Sequence, residues 1–219
     1  NDAQKLAISS SNGAVLITAG PGTGKTFTLV QRAIYLIQEC GVKPEQILMA
    51  TFTEKAAKEL VTRITNELAV RNIYVNVNEM YIGTFHSLCL RIIKDNLEFT
   101  QLKKNYRLLD SFDQKYLVFR NIQKFRNIAD IELVMPNGGA WKWAEAICGL
   151  VGTLTEELVD ADAMAKDSKT EIRVLSAILK QYQQLLTDEN LIDFAKIQTE
   201  CYRLLKENPA ILSDLQEKI

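Results

Sequence analysis

Histidine is almost absent from this chain and cysteine is sparse. His86 stands alone, and Cys40, Cys89, Cys148 and Cys201 are scattered across 219 residues. The cysteines form neither a CxxC pair nor a metal-ligand spacing, so they are expected to be buried thiols in a reducing compartment. A single histidine has no co-ligand at useful spacing, and as a general base it would need an orienting carboxylate that the sequence does not display. Capping a helix or touching a phosphate suits His86 better than catalysis. Charge of one sign is also missing: 26 Lys and Arg face 27 Asp and Glu, a net charge of −1. That excludes an overall basic field for nucleic acid and an acidic, disordered tail, so any nucleic-acid contact must be local. Long apolar runs are lacking too. The longest, "WKWAEAICGLVGTL", is interrupted by Lys142 and Glu145 and is too short to span a bilayer, so no membrane partner is expected. The opening "NDAQKLAISS" has no initiating Met and no charged leader followed by an apolar core. The chain is therefore expected to begin partway into a longer protein.

What is present is a soluble globular composition, 47% hydrophobic, long enough for one large domain or two modest ones. "GAVLITAG" reads as a short strand stopped by glycines. "FTLVQRAIYLIQECG" follows with helical periodicity, placing Val30, Ala33, Ile34 and Ile37 on one face and Gly41 at the stop. "QILMATFT" repeats the strand and "EKAAKELVTRITNELA" the helix, with Ala57, Leu60, Val61, Ile64 and Leu68 on one face and Thr53 placed to cap it. "MYIGTF" running into "HSLCLRIIKDN" is a third copy. Strands alternating with helices predict an α/β fold built on a parallel sheet. Past about Asn96 the alternation fails. "DSFDQKYLVFRNIQKF" predicts a helix opening with a capping box of Ser111 and Gln114, and two more helices are expected in "TEIRVLSAILKQYQQLL" and "DFAKIQTECYRLLKEN". Residues 97–187 read as a mainly helical insertion, with 1–96 and 188–219 forming the first domain.

The stretch "AGPGTGKT" is the clearest chemistry. A phosphate-binding loop needs a glycine-rich turn so that backbone N–H groups converge on phosphate oxygens, a Lys for the β and γ phosphates, and a hydroxyl for Mg²⁺. Ala19, Gly20, Pro21, Gly22, Thr23 and Gly24 supply the turn, Lys25 the charge and Thr26 the metal hydroxyl. The helix beginning there points its positive end at the anion. Ala19 stands where the strict pattern has glycine.

In a parallel sheet, ligands gather at the carboxyl ends of the strands. Two further strand ends carry Thr-Phe and a polar residue: Thr51, Phe52 and Thr53, then Thr84, Phe85 and His86. Hydroxyls and helix N-termini suit phosphates while a ring suits the face of a base, a combination that fits a track for a single nucleic-acid strand. The same residues also fit a plainer arrangement, with both rings in the core and the threonines merely capping helices. Exposure of the rings distinguishes the two.

Taken together, these segments resemble the N-terminal part of superfamily 1A DNA helicases of the UvrD/Rep/PcrA type. "NDAQKLAI" is similar to the adenine-reading Q motif, "AGPGTGKT" to motif I, "ATFTEKAAKELVTRI" to motif Ia and "IGTFHSLCLRII" to motif Ib. The segments "RLLDSFDQ" and "LIDFAKIQTECYRLLKENP" resemble those flanking the helical 1B subdomain. The resemblance implies a RecA-like P-loop sheet (1A) with a helical 1B insertion. It implies ATP and Mg²⁺ as cofactors, with Gln4 reading adenine and Lys25 and Thr26 holding phosphate and metal. Thr51, Phe52, Thr53, Thr84, Phe85 and His86 would contact single-stranded DNA, with single-stranded and duplex DNA as partners. By composition alone, Gln4 is an ordinary solvated helix residue. The family's activity would be 3′ to 5′ translocation driven by ATP hydrolysis in a prokaryotic cytosol, with a second RecA-like domain as partner. Two positions depart from the family pattern: Phe27, where Arg is common, and Glu54, where Asn is common. Glu at position 54 is similar to the RecB/AddA helicase-nuclease branch. A non-helicase P-loop module is the other alternative.

Hydrolysis also needs a carboxylate at the end of an apolar strand. Asp110, Asp193, Asp160 and Asp162 are candidates, but none follows a convincing central strand. By the resemblance, the missing acid follows a few residues beyond "ILSDLQEKI". The chain alone is therefore expected to bind nucleotide weakly, to turn over little ATP, and to hold DNA partially and in a salt-sensitive way.

Overall fold

A computed structural model describes residues 1–10 and 13–219, which divide into two compact units: residues 1–88 with 209–219, and residues 89–208. The first begins with helix α1 (Asp2–Ser9), capped by Asn1, whose side chain accepts from the Gln4 N–H. Helix α2 (Lys25–Gln38) buries Val30, Ala33 and Ile34, the expected face. It stops where Gly41 turns left-handed at φ 67°, with Val42 N–H donating back to the Leu36 carbonyl. Strand β1 (Leu48–Thr51) leads to helix α3 (Glu54–Val70), and the Thr53 hydroxyl caps α3 by accepting from Ala56 N–H at 3.1 Å. Strand β2 (Tyr81–Thr84) then pairs parallel with β1, Thr51 opposite Thr84, and runs directly into helix α4 (Phe85–Asp95). Ile34 from α2 and Ile64 from α3 are fully buried, with Met49 and Met80 in the same cluster. Each isoleucine contributes roughly 1.5–3 kcal/mol of burial.

One expected strand is not there. Gly13–Gly20 carries no ladder hydrogen bonds, and Leu16 is 92% exposed. A β-branched run becomes a strand only beside a partner, and among the described residues β1 and β2 pair with each other alone. The α/β reading thus holds for the β1–α3–β2 unit, a small parallel sheet, and not for a three-stranded one.

The second unit is mainly helical. Strand β3 (Arg107–Leu108) precedes helix α5 (Ser111–Arg120), followed by α6 (Ile122–Arg126), α7 (Ala140–Glu156), α8 (Ala161–Met164) and α9 (Thr170–Asp188). Strand β4 (Leu191–Ile192) pairs parallel with β3 and feeds helix α10 (Phe194–Glu207). Phe125, Ile131, Ile147, Ile178 and Leu179 form the fully buried centre. Helix α10 packs against α7, and its Ile197 and Cys201 share a cluster with Cys89 and Ile93. This packing puts residues 188–208 and 89–96 in the helical unit, so the contact boundaries differ from the ranges 97–187 and 188–219. Helix α11 (Pro209–Lys218) returns to the first unit, where Lys218 lies 5.6 Å over the Tyr81 ring.

Two further expectations are corrected. Asp110, not Ser111, caps α5: its carboxylate accepts from Phe112 N–H at 2.9 Å and Asp113 N–H at 2.7 Å. An ionised acceptor one residue earlier outcompetes the hydroxyl. That frees Gln114 to point inward, where it donates to Tyr182 Oη at 2.9 Å and Asp193 Oδ2 at 3.0 Å. Of the four thiols, Cys40 is exposed and the other three are buried.

Candidate nucleotide and single-strand site

The loop before α2 has the conformation that its glycines permit. Gly22 and Gly24 sit at φ 74° and 87°, and Gly24 is the N-cap of α2 with no side chain capping the helix. The first N–H groups of α2 are thus left for an anion, at the positive end of the helix. The Thr23 hydroxyl braces the loop by donating to the Gly20 carbonyl at 2.8 Å. Lys25 and Thr26 are both exposed. Lys25 folds back over the loop, with Nζ donating to Gly20 O at 2.6 Å and Ala19 O at 3.2 Å. This is an ammonium resting on neutral carbonyls, which an anionic phosphate outcompetes as acceptor. The open turn, the uncapped helix end and the free hydroxyl fit the phosphates and Mg²⁺ of a nucleotide.

Gln4 reaches this loop through space. Its Nε2 donates to the Thr23 carbonyl at 3.1 Å, while its Oε1 accepts from the α-amine of Asn1 at 3.0 Å. Arg32 of α2 holds α1 in place by donating to the Ala7 carbonyl at 2.7 Å. The structure therefore brings Gln4 together with Ala19–Thr26. Phe27, at the third position of α2, is exposed.

The two strand ends come together in the same unit, because the β1–β2 register sets Thr51 beside Thr84. Phe52, between β1 and α3, is fully exposed, and Phe85 at the start of α4 is 59% exposed. Neither ring is in the core. Thr51 Oγ1 donates to the Thr53 carbonyl at 3.0 Å, and His86 is half-buried in the first turn of α4. Ser87 ties the second strand end: its Oγ donates to the Thr84 carbonyl at 2.9 Å and its N–H to Thr84 Oγ1 at 3.2 Å. The Thr84 hydroxyl has two acceptors within reach, Glu54 Oε1 at 3.0 Å and Ser87 Oγ at 3.2 Å. Gly83 allows this closeness, since a β-carbon there would lie 2.2 Å from Ser87 Oγ.

Ser87 and Arg32, and the contact of Glu54 with Thr84, carry no signal in the sequence, because these contacts span the fold or depend on side-chain direction. The rejected acid candidates have structural work. Asp110 and Asp160 cap α5 and α8, and buried Asp193 caps α10 while accepting from Tyr182 Oη at 2.5 Å. Burial, then the Asp193 charge, pushes the Tyr182 phenol far above its ordinary range, and burial raises the Cys148 thiol to about 12. Among the described residues, no cluster of His, Cys, Asp and Glu could hold a metal ion, and no helix is long and apolar enough to cross a membrane.

Comparison with known proteins gives this geometry a context. The model of the UvrD/REP helicase N-terminal domain matches residues 1–219. The chain is 30% identical to the ATP-dependent DNA helicase PcrA of Bacillus subtilis, covering all of this chain and 28% of that protein. It is 33% identical to the ATP-dependent DNA helicase Rep of Buchnera aphidicola, over all of this chain and 32% of Rep. It is 31% identical to a probable DNA helicase II homolog of Mycoplasma capricolum, over 97% of this chain and 28% of that one. The chain thus spans about a third or less of the relatives it matches. Its match from first residue to last places it in a family: the chain belongs to the UvrD/REP helicase N-terminal domain family.

Proposed function

We propose that this chain is the ATP-binding front part of an ATP-dependent DNA helicase, a 3′ to 5′ translocase on single-stranded DNA. Residues 1–96 and 188–219 would form the RecA-like 1A subdomain, and residues 97–187 the helical 1B subdomain. Gln4 reads the adenine edge, the Gly20–Gly24 backbone and Lys25 grip the phosphates, and Thr26 holds the Mg²⁺ that arrives with ATP. When bound, that ion neutralises charge on the phosphates. Thr51, Phe52, Thr53, Thr84, Phe85 and His86 form the strand track, rings against bases and hydroxyls toward phosphates.

The observation that carries this reading is the exposure of Phe52 and Phe85 at neighbouring parallel strand ends, in the same compact unit as the open P-loop. An exposed aromatic ring is costly in water unless a ligand covers it, and two rings beside paired threonines favour a strand track over a plain nucleotide-binding module. Asp110 and Asp193, the acids that end β3 and β4, are committed to capping α5 and α10. The activating acid and the second motor domain are therefore assigned to other parts of the intact protein, in keeping with the greater length of the relatives. The chain alone should hydrolyse ATP at a negligible rate. Fluorescent ATP-analogue binding by the chain, with and without Lys25→Ala, tests the grip. Retained affinity in the variant would refute the assigned phosphate role.

A further inference from the structure

The Thr84 hydroxyl is the donor at the end of β2, and it already has an anionic acceptor. Glu54, the first residue of α3, crosses from the neighbouring strand end to accept from it at 3.0 Å. The carboxylate is exposed and sits in the first turn of α3 where the helix end favours a negative charge, two residues after the exposed Phe52, and the Thr84 it reaches immediately precedes the exposed Phe85. Ser87 holds the other side of Thr84 through two hydrogen bonds, and Thr84 Oγ1 has two acceptors within reach, Glu54 Oε1 at 3.0 Å and Ser87 Oγ at 3.2 Å, of which only Glu54 is charged and so the stronger. A carboxylate and a DNA phosphate diester are both acceptor-only anions, and one hydroxyl proton serves one of them at a time.

We infer that Glu54 occupies the backbone-phosphate position of the strand track when DNA is absent and competes with DNA for the Thr84 hydroxyl, setting an upper limit on single-strand affinity. The inference rests on the single-strand reading above. Glu54 tunes affinity and not sequence preference: it opposes any polyanion at this point on the track, whatever its base sequence. The competition is with phosphate, so it acts equally on all sequences. Because it is electrostatic and exposed, it weakens as salt screens the carboxylate.

The test is a titration of a short fluorescent oligothymidylate with the intact protein, comparing wild type, Glu54→Gln and Glu54→Ala at low and high salt, with thermal melts to confirm folding. Glu54→Gln keeps an acceptor for Thr84 and removes the charge. Binding should tighten about three- to tenfold at low salt, and the gain should shrink at high salt. Glu54→Ala, lacking any acceptor, should bind at least as tightly as Glu54→Gln. Equal or weaker binding by both folded variants overturns the competition while leaving the strand track intact. No binding by wild type or variants overturns the track and the competition together. A gain that persists undiminished at high salt overturns the electrostatic account.

Discussion

Gln4 and Thr23 are 19 residues apart in sequence, yet the Gln4 amide donates to the Thr23 carbonyl at 3.1 Å, so the first helix is hydrogen-bonded to the phosphate loop itself. The same amide nitrogen lies 2.9 Å from where a β-carbon on Gly24 would stand. A residue proposed to read the base is thus held in place by the loop proposed to hold the phosphates. This contact also predicts how the loop responds to mutation.

Gly22 and Gly24 both adopt left-handed backbone, but a β-carbon on Gly22 meets nothing within 4 Å. Gly22→Ala should therefore cost only backbone strain, about 1–2 kcal/mol. Gly24→Ala should cost that strain plus the Gln4–Thr23 hydrogen bond, about 0.5–1.5 kcal/mol more. Denaturant melts of both variants in wild-type and Gln4→Ala backgrounds measure the difference, which should vanish when Gln4 is gone.

Gly83→Ala should act through Ser87. The new methyl displaces Ser87 Oγ and breaks its bond to the Thr84 carbonyl, costing about 0.5–1.5 kcal/mol. In a Ser87→Ala background the same substitution should cost measurably less. Equal costs in the two backgrounds would show that the strain falls elsewhere.

Thiol reactivity should follow burial. Cys40 is exposed, while Cys89, Cys148 and Cys201 lie in the core and burial lifts the Cys148 thiol to about 12. A colorimetric disulfide reagent at mild alkaline pH should titrate one thiol quickly in the native protein and all four after unfolding. Cys40→Ser should abolish the fast phase.

The Tyr182 phenol, raised by burial and by the Asp193 carboxylate, stays protonated in the folded state well past the ordinary tyrosine value of 10.0. A raised folded value gives stability that is whole below the unfolded value and is lost as pH rises through the window above it. Stability should therefore decline above about pH 10, with a slope that Tyr182→Phe reduces. Phenolate absorbance should show Tyr182 ionising only on unfolding.

Much of this was legible in the residues. The helical faces around Ile34 and Ile64, the Thr53 cap and the β1–α3–β2 unit follow from local spacing and capping chemistry. The failures lie where a decision depends on distant or adjacent competition. "GAVLITAG" has strand composition, yet a ladder needs a neighbour, and composition does not name one. Ser111 and Asp110 are both acceptable caps, and their charge difference decided between them and sent Gln114 to Tyr182 and Asp193. In the candidate site, the glycine turn ahead of α2 and the neighbouring ends of β1 and β2 were legible from motif and position. The Glu54–Thr84 contact was not, because it depends on the register of two strands and on side-chain direction.

In the proposed helicase, ATP held at Lys25 would be coupled to a single strand at Phe52 and Phe85. The most direct measurement is steady-state ATP hydrolysis by the intact protein, with and without single-stranded DNA, for wild type, Lys25→Ala and Phe52→Ala/Phe85→Ala. The account predicts strong stimulation by DNA in wild type, loss of turnover in Lys25→Ala, and retained basal turnover with weakened DNA stimulation in the double variant. Equal wild-type rates with and without DNA, or undiminished stimulation in the double variant, would contradict it.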